Sequence, residues 1–193
     1  MKEIFKVIWG RALAYQDQRN DHGHAEVTLR YAQQLLTIEQ GDENVVIPAI
    51  ILHDVGWSEL PDRDKFLAFD HQATAEDKRA ARFRHQERGV KIAQQILQAV
   101  DYPKQWREEI LEIISQHDTR QGFFSANDGL VRDADRLWRF SQVGFAADVA
   151  RGYDPAALVT KLQGRLAEPD FFYSLSARKI AEQELALRVK ELA

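Results

Sequence analysis

The sequence predicts an all-α fold, and three observations predict it. Apolar residues recur at three- and four-residue spacing in segment after segment, the spacing that lines one face of a helix. No segment alternates apolar and polar residues for long enough to form a half-buried strand. Turn signals such as "DYPK", "RGYDP" and "EPD" separate the helical periods. The chain has 193 residues, enough for one domain with a sizeable core. It contains no internal repeat, low-complexity tract or linker, so residues 1–193 are expected to form a single-domain helical bundle.

The elements follow in order. In "MKEIFKVIWGRALAYQ", Ile4, Phe5, Ile8 and Leu13 form one apolar stripe expected to be buried. Lys2, Glu3, Lys6 and Arg11 interrupt it, so it reads neither as a signal peptide nor as a membrane span. Residues 22–38 place Val27, Tyr31 and Leu35 on one face. Residues 44–54 form a short apolar helix in which Pro48 is tolerable only in the first turn. Residues 57–84 are polar and Arg-rich with weak periodicity, which suggests a loop and helix crossing the mouth of a site. A helix then opens at His85 and runs to Val100, with Gly89, Ile92, Ala93, Ile96, Leu97 and Val100 on its apolar face. After Pro103 comes a helix carrying Trp106, Ile110, Ile113 and Ile114 and closing at His117. Residues 128–146 are expected to be helical. Residues 176–192 make a last amphipathic helix with Ile180, Ala181, Leu185 and Leu192.

Composition narrows the function. A net charge of −4 leaves no basic footprint for a nucleic-acid polymer and none for an anionic membrane. The absence of cysteine removes disulfides and thiolate ligands, so any metal must be held by histidine and carboxylate. A cytoplasmic protein is the expectation.

The histidines are informative by position. His53 and Asp54 close the apolar helix, and His117 lies over the Ile110, Ile113 and Ile114 face of its own. His85 opens a helix, His24 sits near the start of another, and Asp135 lies one turn from Val131 and Trp138. Buried imidazoles and carboxylates need partners. Each could be a separate core or capping residue. A metal accounts for them together, because it compensates the carboxylates and takes neutral imidazole nitrogens as ligands.

The order His24, His53-Asp54 in "AIILHDVG", and Asp135 in "DADRL" resembles the HD-domain superfamily of metal-dependent phosphohydrolases. "HAEVTLRYAQQLL" resembles the first-histidine helix of that family, with Thr28 where an aliphatic residue is common. The resemblance covers residues 22 to about 145, leaving 146–193 as a C-terminal helical extension. "HQERGVKIAQQIL" and "ILEIISQHD" add His85 and His117, the extra histidines of members that bind two metals. The resemblance implies that Asp54 bridges two ions. His24, His53 and Asp135 would complete one site, and His85 with His117 the other. Asp135 is the residue before Arg-Leu, with Asp133 as a solvated or outer-shell alternative. His22 and His71 have no counterpart, and read as a surface or outer-shell residue and a loop residue.

Two divalent ions about 3.5–4 Å apart suit phosphoester hydrolysis. Histidine and carboxylate ligands admit Mn, Fe, Co, Ni or Zn. On this reading Asp54, His85 and His117 are the catalytic set. Arg120, after His117, and Arg136, after Asp135, are the candidate phosphate-positioning cations. Arg79, Arg82 and Arg84 read as a solvated helix face or as a further anion site. The expected partner is a small phosphorylated substrate, with a homodimer left open. Two alternatives stay open: an HD-fold di-iron oxygenase acting on a small polyol or phosphonate, and a non-catalytic nucleotide-sensing module. Phosphate-binding glycine loops, G-x-S-x-G and dinucleotide fingerprints are absent.

Overall fold

The computed structural model describes residues 1–67, 69–70 and 72–192, so His71 lies outside the described residues. Among these residues there are ten α-helices, three 3₁₀ turns and no strand, as the periodicity predicts. The chain divides into two compact units. One comprises Met1–Arg19 and Asp42–Gln121, the other Asn20–Gly41 and Gly122–Ala193.

The first unit holds α1 (Glu3–Ala12), α3 (Glu43–Leu52), α4 (Asp62–Phe66), α5 (Ala75–Ala99) and α6 (Lys104–Gln116). Its core forms where α3 packs on α1 and α6, and where α5 packs on α6. Phe5 and Ile8 of α1 are buried as expected, but Leu13 is exposed and Ala12 fills the inward position. The α-helix gives way to a 3₁₀ turn over Leu13–Tyr15, so the stripe ends at Ala12.

From Val45 to Leu52 helix α3 is apolar all round, and every residue of that stretch is buried. Asp42 caps it by accepting from the Asn44 amide at 2.8 Å, and also accepts from the Trp106 indole of α6 at 2.8 Å. Pro48 lies in the second turn, beyond the first turn that the sequence alone would allow. A proline there cannot donate to the carbonyl four residues back, that of Asn44. The Tyr102 hydroxyl donates to that same carbonyl at 2.7 Å, so a side chain from another part of the unit replaces the missing backbone bond.

Helix α5 starts ten residues earlier than expected, and His85 lies in its interior rather than at its start. Residues 75–84 are mostly exposed and so lack an apolar stripe. They are held helical by a capping box in which Thr74 and Asp77 bond each other's backbone amides. Arg79, Arg82 and Arg84 are exposed on this stretch, and Arg84 pairs with Asp64 at 3.0 Å.

The second unit holds α2 (His24–Leu36), α7 (Ala126–Leu137), α8 (Gln142–Ala150), α9 (Pro155–Ala167) and α10 (Leu175–Glu191). Helices α2 and α7 pack together and bury Val27, Tyr31 and Leu35. The stretch expected as one helix over 128–146 is two. Ser141 adopts extended backbone and caps α8 by accepting from the Gly144 amide at 3.0 Å. Gly144 sits so close to the Trp138 carbonyl that a Cβ would lie 2.0 Å from its oxygen. In α10, Ile180, Ala181 and Leu185 are buried, but Leu192 is 49% exposed.

Candidate metal centre

The end of α3 builds the first part of the site. His53 caps the helix, and Asp54 follows at φ −104°, ψ 3°, a sparsely allowed region common at active sites. The chain then winds through a 3₁₀ turn over Val55–Glu59 that packs against α5. Gly56 permits this approach, since a Cβ there would meet the His85 carbonyl oxygen at 1.9 Å and the Gly89 amide nitrogen at 2.4 Å. The close contact brings Trp57 into a parallel stack on the His85 ring, with centroids 4.0 Å apart.

Three ligand atoms converge here. Asp54, His85 and His117 each offer one atom within 4.8 Å of the other two. Asp54 Oδ1 lies 3.6 Å from His85 Nε2 and 3.4 Å from His117 Nε2, and the two nitrogens are 3.3 Å apart. His53 Nε2 is 3.7 Å from Asp54 Oδ2, and its ring meets His117 edge-on. All three imidazoles are buried.

Local hydrogen bonds set the tautomers. His53 Nδ1 donates to the Ile50 carbonyl at 2.8 Å and His117 Nδ1 donates to the Ile114 carbonyl at 2.9 Å. A carbonyl can only accept, so the Nδ1 atoms carry protons, and Nε2 is the atom left to bind a cation or, on His117, to donate to Asp54. Burial lowers the proton affinity of His85, outweighing the pull of Asp54 and Asp118. Burial also opposes charge on His117, but there the hydrogen bond to Asp54 and the Asp118 charge win and raise it. His85 Nδ1 is buried without a hydrogen-bond partner. Nε2 atoms gathered round a carboxylate fit a divalent cation that takes the place of a shared proton, and imidazoles fixed by backbone carbonyls are the usual state of metal-ligating histidines.

The second unit holds a histidine–aspartate pair of its own. His24 is the first residue of α2, and its Nε2 lies 3.4 Å from Asp135 Oδ1 of α7. Trp138 packs edge-on against the His24 ring at 5.1 Å. Thr28 donates to the His24 carbonyl at 2.9 Å, so the residue that departs from the aliphatic pattern has its hydroxyl satisfied within its own helix. Asp133 is not solvated. It is fully buried and accepts from the Tyr173 amide at 2.7 Å and from the Ser174 amide and hydroxyl at 2.9 and 2.8 Å. Burial pushes its carboxyl up to about 6, against the pull of those donors. These bonds fix the segment that starts α10, so the carboxylate facing His24 is Asp135. His22 is exposed.

The expected cations have other partners. Arg120 pairs with Glu112. Arg136 donates to the Phe171 carbonyl and lies over the rings of Phe123 and Phe171 at 5.4 and 5.1 Å. A cation that touches the site is Arg19, which sequence reasoning missed. Its Nη2 lies 2.7 Å from Asp54 Oδ2 and its guanidinium sits 4.4 Å over the Trp57 ring. Trp57 was also missed, although its indole donates to Asp54 Oδ1 at 3.1 Å. Asp118 was missed as well, with Oδ2 3.6 Å from His85 Nε2 and 3.9 Å from His117 Nε2. A signal for Asp118 was present, since His117-Asp118 repeats the dipeptide His53-Asp54. Nothing local marks Arg19, which reaches Asp54 across 35 positions of chain.

No helix among the described residues is long and apolar enough to cross a membrane. Among curated proteins no sequence matches the chain. The crystal structure of a predicted HD superfamily hydrolase from an uncultured Thermotogales bacterium is similar to it, at 21% identity and a TM-score of 0.63. That similarity covers 98% of this chain and 87% of the other, so the fold is shared over nearly the whole length. The family model for the HD domain matches residues 22–139, a span that runs from the His24 helix through His53-Asp54 to Asp135. With its histidines and aspartates in that order on an all-helical frame, the chain belongs to the HD domain family.

Proposed function

We propose that the protein is a metal-dependent hydrolase cleaving a phosphoester of a nucleotide or other small phosphorylated metabolite in the cytoplasm. The observation that carries this reading is the convergence of Asp54, His85 and His117, with Nε2 of His117 turned to the carboxylate. The likeness to a predicted HD superfamily hydrolase supports the hydrolytic class. Asp54, His85 and His117 would hold one divalent ion. By the resemblance, His24, His53 and Asp135 would serve a second, with Asp54 shared. Bound there, such ions supply an activated water and offset charge building on phosphate oxygens.

The chain's own residues prepare the site. Arg19 and Trp57 hold the two oxygens of Asp54 from opposite ends, which fixes the plane of the carboxylate. Stacking on Trp57 fixes the His85 ring. Buried imidazoles keep bulk water from the inner face of the site. Arg120 and Arg136 are the proposed phosphate-positioning cations. Arg120 would exchange Glu112 for a substrate phosphate, one anion for another. A net charge of −4 favours a small substrate over a nucleic-acid polymer.

The test is a metal-stripped protein reloaded separately with Mn, Fe, Co, Ni and Zn. Each form is then assayed for phosphate release from nucleotides, phosphomonoesters and cyclic phosphodiesters. At least one metal should support release from one class, and Asp54→Asn should abolish it. Silence across the whole panel, with metal bound, would overturn the reading.

A further inference from the structure

We propose that Asp118 is a fourth protein ligand of the ion held by Asp54, His85 and His117, making that position a two-histidine, two-carboxylate site. The inference rests on the metal reading above. Donor atoms around a tetrahedral ion with bonds of about 2.0–2.1 Å lie about 3.3–3.4 Å apart. The atoms Asp54 Oδ1, His85 Nε2, His117 Nε2 and Asp118 Oδ2 show separations of 3.3, 3.4, 3.6, 3.6 and 3.9 Å. Asp54 Oδ1 and Asp118 Oδ2 thus each close a triangle on the same His85–His117 edge, with sides within about half an ångström of that spacing.

The position of Asp118 is built by the chain. The residue follows His117, the C-cap of α6, in a turn closed by the Arg120 amide donating to the Gln116 carbonyl at 2.9 Å. Thr119 donates to Gln86 of α5 at 3.0 Å. Since Gln86 adjoins His85 and Thr119 adjoins Asp118, this bond pins the pair 118–119 onto the pair 85–86. Charge argues the same way. One carboxylate leaves a divalent ion with excess positive charge, and Asp54 is called on to serve two ions. A second carboxylate at the His85 and His117 position restores the balance.

Cobalt is a suitable probe, because its visible spectrum reports ligand number and geometry. Metal-free wild type, Asp118→Asn, Asp118→Ala, Asp118→Glu and His85→Ala are titrated with Co²⁺ against a chelator, with apo melting curves alongside. The binding phase lost in His85→Ala identifies this ion. That phase should weaken at least tenfold in Asp118→Asn and Asp118→Ala, with an altered visible band, and recover in part in Asp118→Glu. Apo melting should stay at the wild-type value, because Asp118 is exposed. Wild-type affinity and spectrum in Asp118→Asn would overturn the assignment while leaving the metal centre intact. If the wild type shows no His85-dependent Co²⁺ phase, the metal reading of this cluster fails, and the assignment fails with it.

Discussion

Replacing Gly56 with alanine tests the contact on which the site geometry depends. The added Cβ would lie 1.9 Å from the His85 carbonyl oxygen, 2.4 Å from the Gly89 nitrogen and 2.9 Å from the Gly89 Cα. Real Cβ contacts stay beyond 3.0 Å, and 3.0 less 1.9 requires a separation of at least 1.1 Å. All three opposing atoms are backbone, so no side chain can swing away. The 3₁₀ turn must lift off α5. Overpacking of this kind costs about 1–3 kcal/mol, and a rigid backbone puts Gly56→Ala near the top, at about 3 kcal/mol. For a chain of this size that lowers the melting temperature by about 6–12 °C. The same shift would open the Trp57–His85 stack and draw Asp54 away from His85, so metal affinity should fall along with stability. Gly89→Ala is the control from the other side of the contact. Its Cβ would meet nothing closer than Ile114 Cγ2 at 3.4 Å. It also gains about 1 kcal/mol of helix propensity in the interior of α5, so it should be neutral or stabilising. Thermal melts in chelator-treated buffer and a metal titration read both variants. Gly56→Ala melting within about 2 °C of wild type, less than about 1 kcal/mol is worth here, would refute the reasoning.

Tyr102→Phe should cost about 1–3 kcal/mol by urea unfolding, because it leaves the Asn44 carbonyl without the donor that replaces Pro48. A wild-type midpoint would show that the carbonyl finds another partner. Metal at about a hundred times its Kd should stabilise the protein by about 2.7 kcal/mol, seen as a higher melting temperature that chelator reverses. Asp54→Ala should lose that response and all turnover. Its apo form should still fold, losing about 3 kcal/mol with the Arg19–Asp54 ion pair out of the roughly 5–15 typical of a domain. Arg120→Ala and Arg136→Ala should raise KM about tenfold, the effect of about 1.4 kcal/mol of lost binding. Their metal content by elemental analysis should remain at the wild-type level.

The sequence showed the fold class and the family, because both rest on patterns along the chain. Helical periods in α2, α6 and the second half of α5 come from faces that meet the core, and the core is where spacing is constrained. Residues 75–84 and the break at Ser141 were missed for the opposite reason. The first stretch is an exposed helix held by its cap, and the second depends on a glycine lying against a carbonyl. Pro48 was misplaced because its compensation comes from Tyr102, outside any window around residue 48. His117 and its helix face were readable by the same logic as the core. Arg19 was not, since its role comes from an ion pair across 35 residues with no local signature. Asp133 was left as a solvated or outer-shell alternative, whereas three donors near the start of α10 hold it inside.

The central claim is hydrolysis of a phosphoester, and oxygen separates it from the di-iron oxygenase alternative. A hydrolase needs only a Lewis acid, so Mn or Zn suffices. An oxygenase must cycle iron with O2. Phosphate release should therefore be measured anaerobically, with Mn- or Zn-loaded wild type and His53→Ala side by side. The account predicts release by wild type without oxygen and its loss in His53→Ala. Product formation that appears only with iron and O2 would contradict it.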